Sequence, residues 1–127
     1  MKYEIRETVI KGNTYMAIFD KDGKQLTEWY RYISPEGLIE GQSRYYIAKK
    51  DNKYAIFDIN GNQITPEWFD GISSYGLVEG QSNYYIAKKG KKVAIFDISG
   101  DRITDWFDYV SSAGLVKGES EYYVACK

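Results

Sequence analysis

The sequence contains no histidine, and this absence excludes several kinds of chemistry at once. Histidine is the usual base that activates a serine or cysteine nucleophile, and it is the commonest side chain that binds metal ions. The single cysteine, Cys126, has neither a second cysteine for a disulfide nor a histidine for a zinc site. We therefore predict that the protein is not an enzyme and that it holds neither a cofactor nor a metal ion.

An excess of one charge and long apolar runs are missing as well. Lys and Arg number 17 against 18 Asp and Glu, so no overall field attracts nucleic acid or anionic lipid. The longest apolar stretches have about five residues, whereas a membrane-spanning helix needs about 18. The first ten residues alternate charged and apolar side chains, unlike a secretion signal. We expect a cytoplasmic protein that does not enter a membrane, and the charge balance gives no support to nucleic acid as a partner.

The sequence does contain an internal repeat, whose most constant part is the tetrapeptide Ala-Ile-Phe-Asp. This tetrapeptide recurs at spacings of 38 and then 39 residues, at 17–20, 55–58 and 94–97. The hexapeptide YYIAKK precedes the second and third occurrences, and a related segment, YYVACK, stands at 122–127. Internal periods of this length are typical of repeat proteins, in which each unit buries its apolar surface against its neighbours.

Each unit has the sequence pattern of β-hairpins. YYIAKK is rich in aromatic and β-branched residues, and a turn-forming pair such as Asp51-Asn52 connects it to the apolar segment YAIFDI. The following Asp-x-x-Gly is the residue choice of a type I turn, with the Asp capping backbone amides and the Gly left-handed. A third short strand is predicted at QIT. The segment TPEWFDGISSYG, at 65–76, carries the signals of a short helical turn, although WFDGI could instead be a fourth strand.

These patterns predict an all-β or β-dominated fold with three strands and a short helical turn in each unit. We predict a single repeat domain over 1–127, with copies at about 7–44, 45–83 and 84–121 and a partial fourth copy at 122–127. The copies could close with pseudo-three-fold character, as in a small barrel, or stack as a short curved array. The sequence does not distinguish these arrangements.

The segments KYAIFDINGNQI, WFD and GLVEG resemble the bacterial WG-type repeats, which follow the pattern K-[WY]-[GA]-[IF]-[FI]-D-x-x-G-x-x-[IV]. The resemblance covers all three copies, although other pairs replace the Trp-Gly that names the family, namely Met16-Ala17, Tyr54-Ala55 and Val93-Ala94. The resemblance implies a β-rich repeat module with a binding role and without catalytic residues.

Carboxylates are the remaining candidates for chemistry. Glu67 and Asp70 flank Trp68 and could form a pair like that of a glycosidase. Acids recur at matching positions in every copy, however, which favours caps of turns and helix starts over one asymmetric catalytic site. The segment DKDGK at 20–24 is similar to the start of a calcium loop, but Arg31 stands where the bidentate Glu is required. We therefore predict no metal site here.

Aromatic residues are abundant, with 13 Tyr, 3 Trp and 5 Phe. Neighbouring side chains of a strand point to opposite faces, so the first Tyr of YYIAKK shares a face with Ile and the second shares a face with Ala. If the Ile face is buried, the second tyrosines form an exposed row beside lysines. We predict this row as the binding site: Tyr46, Tyr85 and Tyr123. The alternative is that these rings are partly buried and seal the next unit, with their hydroxyls in water.

Several placements follow from the same alternation. We expect the aliphatic residues of these strands to point inward, which are Ile47, Ile86 and Val124, and Cys126 to lie on their buried side. Thr8 stands in the first copy where the other copies have the second tyrosine.

Two hypotheses for the function come from different classes. The first is a non-enzymatic interaction module that presents tyrosine and lysine side chains to a protein partner or to a second copy of itself. The alternative is a carbohydrate-binding or carbohydrate-active domain that uses exposed aromatic rings and carboxylates. A concave aromatic cleft with asymmetric acids would favour the carbohydrate hypothesis, and a flat or convex aromatic face would favour a protein partner.

Overall fold

The computed structural model describes residues 3–127 and consists mainly of short antiparallel strands. In chain order the strands are β1 (Tyr3–Ile10), β2 (Asn13–Asp20), β3 (Tyr32–Ser34), β4 (Tyr45–Lys50), β5 (Lys53–Asp58), β6 (Gly71–Ile72), β7 (Tyr84–Lys89), β8 (Lys92–Asp97), β9 (Tyr109–Val110) and β10 (Ala125–Cys126). The one helix among the described residues is the single turn α1 (Glu36–Ile39). The predicted β-dominated fold is confirmed.

The strands form four small sheets, which we number I to IV along the chain. Sheet I is β1-β2, sheet II is β3-β4-β5, sheet III is β6-β7-β8 and sheet IV is β9-β10. In sheets II and III the central strand is YYIAKK, and the strand that contains Ala-Ile-Phe-Asp pairs with one of its edges in the same register. Tyr46 lies opposite Phe57 in sheet II, and Tyr85 lies opposite Phe96 in sheet III.

The Asp-x-x-Gly turns have the predicted geometry. Asp58 Oδ1 accepts hydrogen bonds from the backbone N–H groups of Asn60 at 2.9 Å and Asn62 at 3.0 Å. Gly61 has a left-handed φ of 93°, which glycine adopts at little cost. Burial alone would raise the pKa of the Asp58 carboxyl, but the bonds from Asn62 and Asn60 outweigh it and hold this pKa below its usual value. Asp20 and Asp97 cap their turns in the same way.

The predicted third strand at QIT is not a strand, because it forms just one bridge per copy. In the second copy this bridge joins Gln63 to Phe57. The Thr residue that ends this segment uses its hydroxyl instead of a strand pairing. In the third copy the backbone N–H of Ile95 donates to Thr104 Oγ1 at 3.1 Å. The threonine hydroxyl therefore replaces one of the backbone acceptors that a third strand would have supplied.

The predicted helical turn over 65–76 is wrong, and the alternative of a fourth strand over WFDGI is met in part, by a bridge at Phe69 and the short strand β6. Phe69 and Tyr54 exchange backbone hydrogen bonds of 2.7 and 2.8 Å. Asp70 N–H donates to the Lys88 carbonyl at 2.9 Å, just before β6 pairs with β7. The segment is held by strands of two successive sheets, and these bonds require an extended backbone. Turns lie later in the unit, where the first copy has α1.

The sheets contact one another in chain order. One apolar cluster joins sheets I and II, a second joins sheets II and III, and a third joins sheets III and IV. No such cluster of residues 3–127 joins sheet I to sheet IV. These contacts are those of a stack, in which each unit buries its apolar faces against its neighbours. The pseudo-three-fold character stays a prediction.

The same polar contact recurs at successive junctions of the stack. The hydroxyl of Ser43 donates to the carbonyl of Val78 at 2.6 Å, and the hydroxyl of Ser82 donates to the carbonyl of Val116 at 2.6 Å. These serines occupy matching positions before YYIAKK in their copies. The junctions are thus fixed by hydrogen bonds as well as by apolar packing.

The first hairpin is longer than its counterparts, and this shifts the alignment of the first copy. β1 and β2 have eight residues each, whereas β4 and β5 have six. Phe19, the counterpart of Phe57, lies opposite Glu4. Glu4 therefore stands where the other sheets have their second tyrosine, and the expectation that Thr8 does so is wrong. The extra residues flank the hairpin turn on both sides, so the spacing of Ala-Ile-Phe-Asp does not reveal them.

Candidate functional site

Two of the three predicted binding tyrosines are core residues. Tyr46 is 2% exposed and Tyr85 is 0% exposed, so the expectation of an exposed row is wrong for both. The ring of Tyr46 stacks on Phe57 with 5.8 Å between centroids, and the ring of Tyr85 stacks on Phe96 at 5.6 Å. The error has a simple cause. Sheets II and III are covered on both faces, so both sets of alternating side chains are buried.

The environment of these phenols agrees with burial. Desolvation raises the pKa of the Tyr46 and Tyr85 hydroxyls, and the nearby Tyr30 and Asp58 raise that of Tyr46 further. Tyr85 Oη has no hydrogen-bond partner within the described part of the chain. The alternative of partly buried rings that seal the next unit is wrong as well, because both rings are fully buried and pack towards the preceding unit, Tyr46 in the cluster of sheets I and II and Tyr85 in that of sheets II and III. The Tyr85 hydroxyl is buried rather than in contact with water.

Tyr123 differs from its two counterparts because sheet IV has no strand like β5 or β8. It is 38% exposed, and no aromatic ring of residues 3–127 packs against it. It lies two residues before β10, which pairs with β9 through Ala125 opposite Val110. The edge of β10 that corresponds to the β5 side of β4 carries no strand among the described residues.

The backbone groups at this edge can be identified from the hydrogen bonds on the other side. The carbonyls of Val124 and Tyr122 accept from the Ser111 and Leu115 N–H groups, each at 2.8 Å. Backbone groups of successive strand residues point to opposite edges. The N–H and C=O groups of Tyr123 and Ala125 therefore point to the free edge of β10.

Exposed apolar side chains occur on β9 and in the segment that leads into β10. We call the set the terminal face, and its members are Tyr109, Tyr122, Tyr123 and Val124. Val124 is 67% exposed, although its counterpart Ile47 is buried. The expectation that Val124 and Cys126 are buried is wrong, since sheets I to III each have a following sheet and sheet IV has none within residues 3–127.

The opposite end of the stack presents a charged surface. Arg6 Nη2 lies 2.6 Å from Glu4 Oε1, and the Arg6 guanidinium lies over the ring of Phe19 at 4.4 Å from its centroid. Across the hairpin Arg6 faces Ala17, so it replaces the alanine that faces Ala55 in sheet II. The outward-facing phenylalanine of sheet I is thus covered by a side chain of its own sheet.

A second candidate site is a cleft between the first and second units. Its volume is about 350 Å³, and we call it the junction cleft, lined by Tyr15, Arg31, Tyr32, Lys49, Asp51 and Asn52. Sequence reasoning noted Arg31 as a departure from a calcium loop. It did not note that Arg31 occupies the position of Asp70 and Asp108 in the other copies.

The acids considered for catalysis have structural partners. Asp70 Oδ1 lies 2.5 Å from Lys53 Nζ, and Glu67 lies 3.2 Å from Lys89 Nζ. In the part of the chain that the structure describes, no group of three acidic, cysteine or histidine side chains could hold a metal ion. No helix of residues 3–127 has the length and apolar character needed to cross a membrane.

No match was found when the chain was compared with protein-family models, with curated proteins and with solved structures. The terminal face and the junction cleft are therefore the features from which a function is inferred.

Proposed function

We propose that this chain is a non-enzymatic interaction module, and that its partner is a protein that adds a β-strand to the free edge of β10. The observation that carries this proposal is the edge at Tyr123 and Ala125 that carries no strand within residues 3–127, together with the exposed side chains of the terminal face in the same sheet. Exposed large apolar side chains in one patch are typical of interaction sites. Addition of a strand to an open sheet edge is a recurrent mode of peptide recognition.

Sheets II and III supply two internal examples of the completed edge. In sheet II, Phe57 lies opposite Tyr46 and Ala55 lies opposite Ala48. In sheet III, the pairs at the same positions are Phe96 with Tyr85 and Ala94 with Ala87. A partner strand in this register would place a phenylalanine against Tyr123 and a small residue against Ala125. Its preferred sequence is therefore close to Ala-Ile-Phe-Asp.

The chemistry of this contact has two parts. Backbone hydrogen bonds to Tyr123 and Ala125 would fix the strand, and an aromatic side chain would cover the ring of Tyr123. Offset stacking of two aromatic rings contributes about 0.5–1.5 kcal/mol beyond the buried area. Of the three tyrosines in the predicted row, Tyr123 is therefore kept as a binding residue in this proposal.

The remaining parts of the proposal rest on the sequence. The chain lacks histidine, and its turn acids are occupied as caps, which supports a role without catalysis. The balanced charge and the single cysteine support a cytoplasmic location. The resemblance to WG-type repeats stays a prediction, and a β-rich binding module agrees with it.

The test is a titration with a labelled peptide whose sequence is that of residues 91–100, KKVAIFDISG. We expect saturable binding, followed by fluorescence anisotropy. A peptide of the same composition in scrambled order is the matched control, and a peptide N-methylated at the Ala and Phe amides tests the need for backbone bonds.

A variant of the chain locates the contact. Ala125→Pro removes an N–H group that points to the free edge and leaves in place the hydrogen bond that the Val124 carbonyl accepts from the Ser111 N–H. We expect the affinity for the peptide to fall at least about tenfold. Equal binding of the scrambled peptide, or unchanged binding by the variant, would contradict strand addition. Self-association of the unmodified chain, lost on Ala125→Pro, would identify a second copy as the partner instead.

A further inference from the structure

The junction cleft is an asymmetric feature of an otherwise repetitive molecule. In the second and third units, an acid after Trp-Phe pairs with the lysine that begins the Ala-Ile-Phe-Asp strand. Asp70 lies 2.5 Å from Lys53, and Asp108 lies 2.5 Å from Lys92. In the first unit the acid is replaced by Arg31 and the lysine by Tyr15. The Arg31 guanidinium lies 5.5 Å from the centroid of the Tyr15 ring.

This replacement also changes the contact with the next hairpin turn. Asp70 Oδ2 accepts a hydrogen bond of 2.6 Å from the N–H of Gly90 in the turn of the third unit. At the first junction the facing turn is Asp51-Asn52, whose residues adopt left-handed φ values of 53° and 63°. Arg31 cannot accept such a bond, so the acid that closes the second junction is absent from the first.

Two cations of the cleft have no carboxylate partner within residues 3–127. They are Arg31 and Lys49, and neither takes part in an ion pair of the described residues. Lys49 Nζ lies 5.5 Å from the centroid of the Tyr54 ring, so aromatic faces orient both cations. The guanidinium of arginine matches a carboxylate through two parallel hydrogen bonds. The cleft therefore has binding capacity for one carboxylate.

The other lining residues suit a sugar ring. Tyr32 lies opposite Lys49 in the strand pair and is about half exposed, so its ring can stack on an apolar sugar face. Asp51 and Asn52 are exposed and offer acceptors and donors for hydroxyl groups. A volume of about 350 Å³ lies at the lower end of the range of about 300–1,000 Å³ found for small-molecule sites.

From this arrangement we propose that the junction cleft binds an acidic sugar, a monosaccharide that carries a carboxylate. Arg31 and Lys49 bind the carboxylate, Tyr32 stacks on the ring, and Asp51 with Asn52 bind the hydroxyls. The site is separate from the terminal face, since it lies between sheets I and II, and each proposal can fail without the other.

The test is a calorimetric titration of the chain with glucuronate and galacturonate, with glucose and inorganic phosphate as comparison ligands. The matched variant is the double substitution Tyr15→Lys and Arg31→Asp, which introduces into the first unit the lysine–aspartate pair found in the other units. This variant retains the repeat pattern, and its circular dichroism and melting temperature verify the fold. A second variant, Tyr32→Ser, removes the stacking ring.

We expect both uronates to bind, glucose to bind at least about tenfold more weakly, and the double variant to lose at least about tenfold in affinity for uronate. Tyr32→Ser weakens uronate binding and leaves any binding of phosphate unchanged. Phosphate binding as tight as uronate binding would reduce the site to a general anion site and overturn the sugar assignment. Absence of uronate binding, or its persistence in the folded double variant, would overturn the site itself.

Discussion

The two ends of the stack differ in chemistry although they derive from the same repeat. At the sheet I end, Glu4 and Arg6 replace the tyrosine and alanine of the repeat, and Arg6 covers the ring of Phe19. At the sheet IV end, Tyr123 and Ala125 keep the residues of the repeat, and Val124 is exposed. One end thus has the polar outer face that terminates a stack, and the other retains the residues that form a contact.

The difference also restricts which partner can cover the terminal face. A second copy that placed its sheet I there would bury Glu4 and Arg6 against apolar side chains. Removal of charged groups from water costs several kcal/mol unless their pairing is nearly ideal. The charged end therefore opposes head-to-tail stacking of copies, and a strand from a different protein avoids this cost.

The largest expected effect separates the inner tyrosines from the terminal one. Tyr85→Ser removes a fully buried ring that stacks on Phe96, and we expect it to lower the free energy of unfolding by about 3–5 kcal/mol. Tyr123→Ser removes a partly exposed ring that has no aromatic partner among the described residues, and we expect a change of less than about 1 kcal/mol. Urea denaturation measures both. Equal destabilisation by the two changes would show that the ends and the centre are packed alike.

The errors of sequence reasoning have the same physical origin as this contrast. The hairpins and the Asp-x-x-Gly turns could be predicted because their signals lie within a few neighbouring residues. The burial of Tyr46 could not be predicted in this way. Alternation shows which side chains share a face of the strand, but it does not show that the previous unit covers the face that carries Tyr46. The segment around Phe69 looked helical by its spacing, but backbone pairing with Tyr54 and, beyond it, with β7 decides its conformation.

The candidate site was predictable to a smaller degree. The exposure of Tyr123 and Val124 could not be predicted, because it depends on which strands and sheets cover them in the fold. The signal for the junction cleft in the sequence is a difference between the copies at one position, where the first copy has Arg31 and the others have an aspartate. Such a departure is visible in the sequence, but its proximity to Lys49 and Asp51 is a property of the stacking.

An exchange of the two ends is the next largest test. We expect Tyr123→Glu combined with Ala125→Arg, which copies the charged pair of sheet I, to reduce the affinity for the Ala-Ile-Phe-Asp peptide at least about tenfold. The converse change, Glu4→Tyr with Arg6→Ala, exposes an apolar face at the other end. We expect that variant to self-associate in sedimentation velocity. A monomeric converse variant would show that Glu4 and Arg6 do not act against stacking.

A smaller effect distinguishes the serines of the junctions from the serine at the end. Ser82→Ala removes a hydroxyl that donates to the Val116 carbonyl in the next unit, and we expect a loss of about 1 kcal/mol. Ser120 has the matching position in the partial copy, and its hydroxyl is 3.3 Å from the carbonyl of Tyr122 nearby. Ser120→Ala should change stability by less than about 0.5 kcal/mol. Thermal unfolding of the two variants provides the measurement.

The ionisation of the buried tyrosine hydroxyls has the smallest expected effect on stability at neutral pH, because it occurs only at high pH. Burial, followed by the charge of Glu28, raises the pKa of Tyr30 from 10.0 to about 12. A raised pKa in the folded state favours the protonated phenol, so this contribution to stability is complete below pH 10 and is lost as the pH rises towards 12. We expect some tyrosines to ionise only at the high end of this window in an absorbance titration, together with unfolding. Ionisation of all tyrosines near pH 10 without unfolding would contradict the buried positions.

Amide hydrogen exchange at the free edge of β10 tests the central claim most directly. The N–H groups of Tyr123 and Ala125 should exchange rapidly in the free chain, because they point to an edge that carries no strand within residues 3–127. Addition of the Ala-Ile-Phe-Asp peptide should slow the exchange of both groups. The Ser111 N–H, which donates to Val124, should change little. Slow exchange of Tyr123 and Ala125 before any peptide is added, or rapid exchange that saturating peptide leaves unchanged, would contradict the account of an open edge that binds a partner strand.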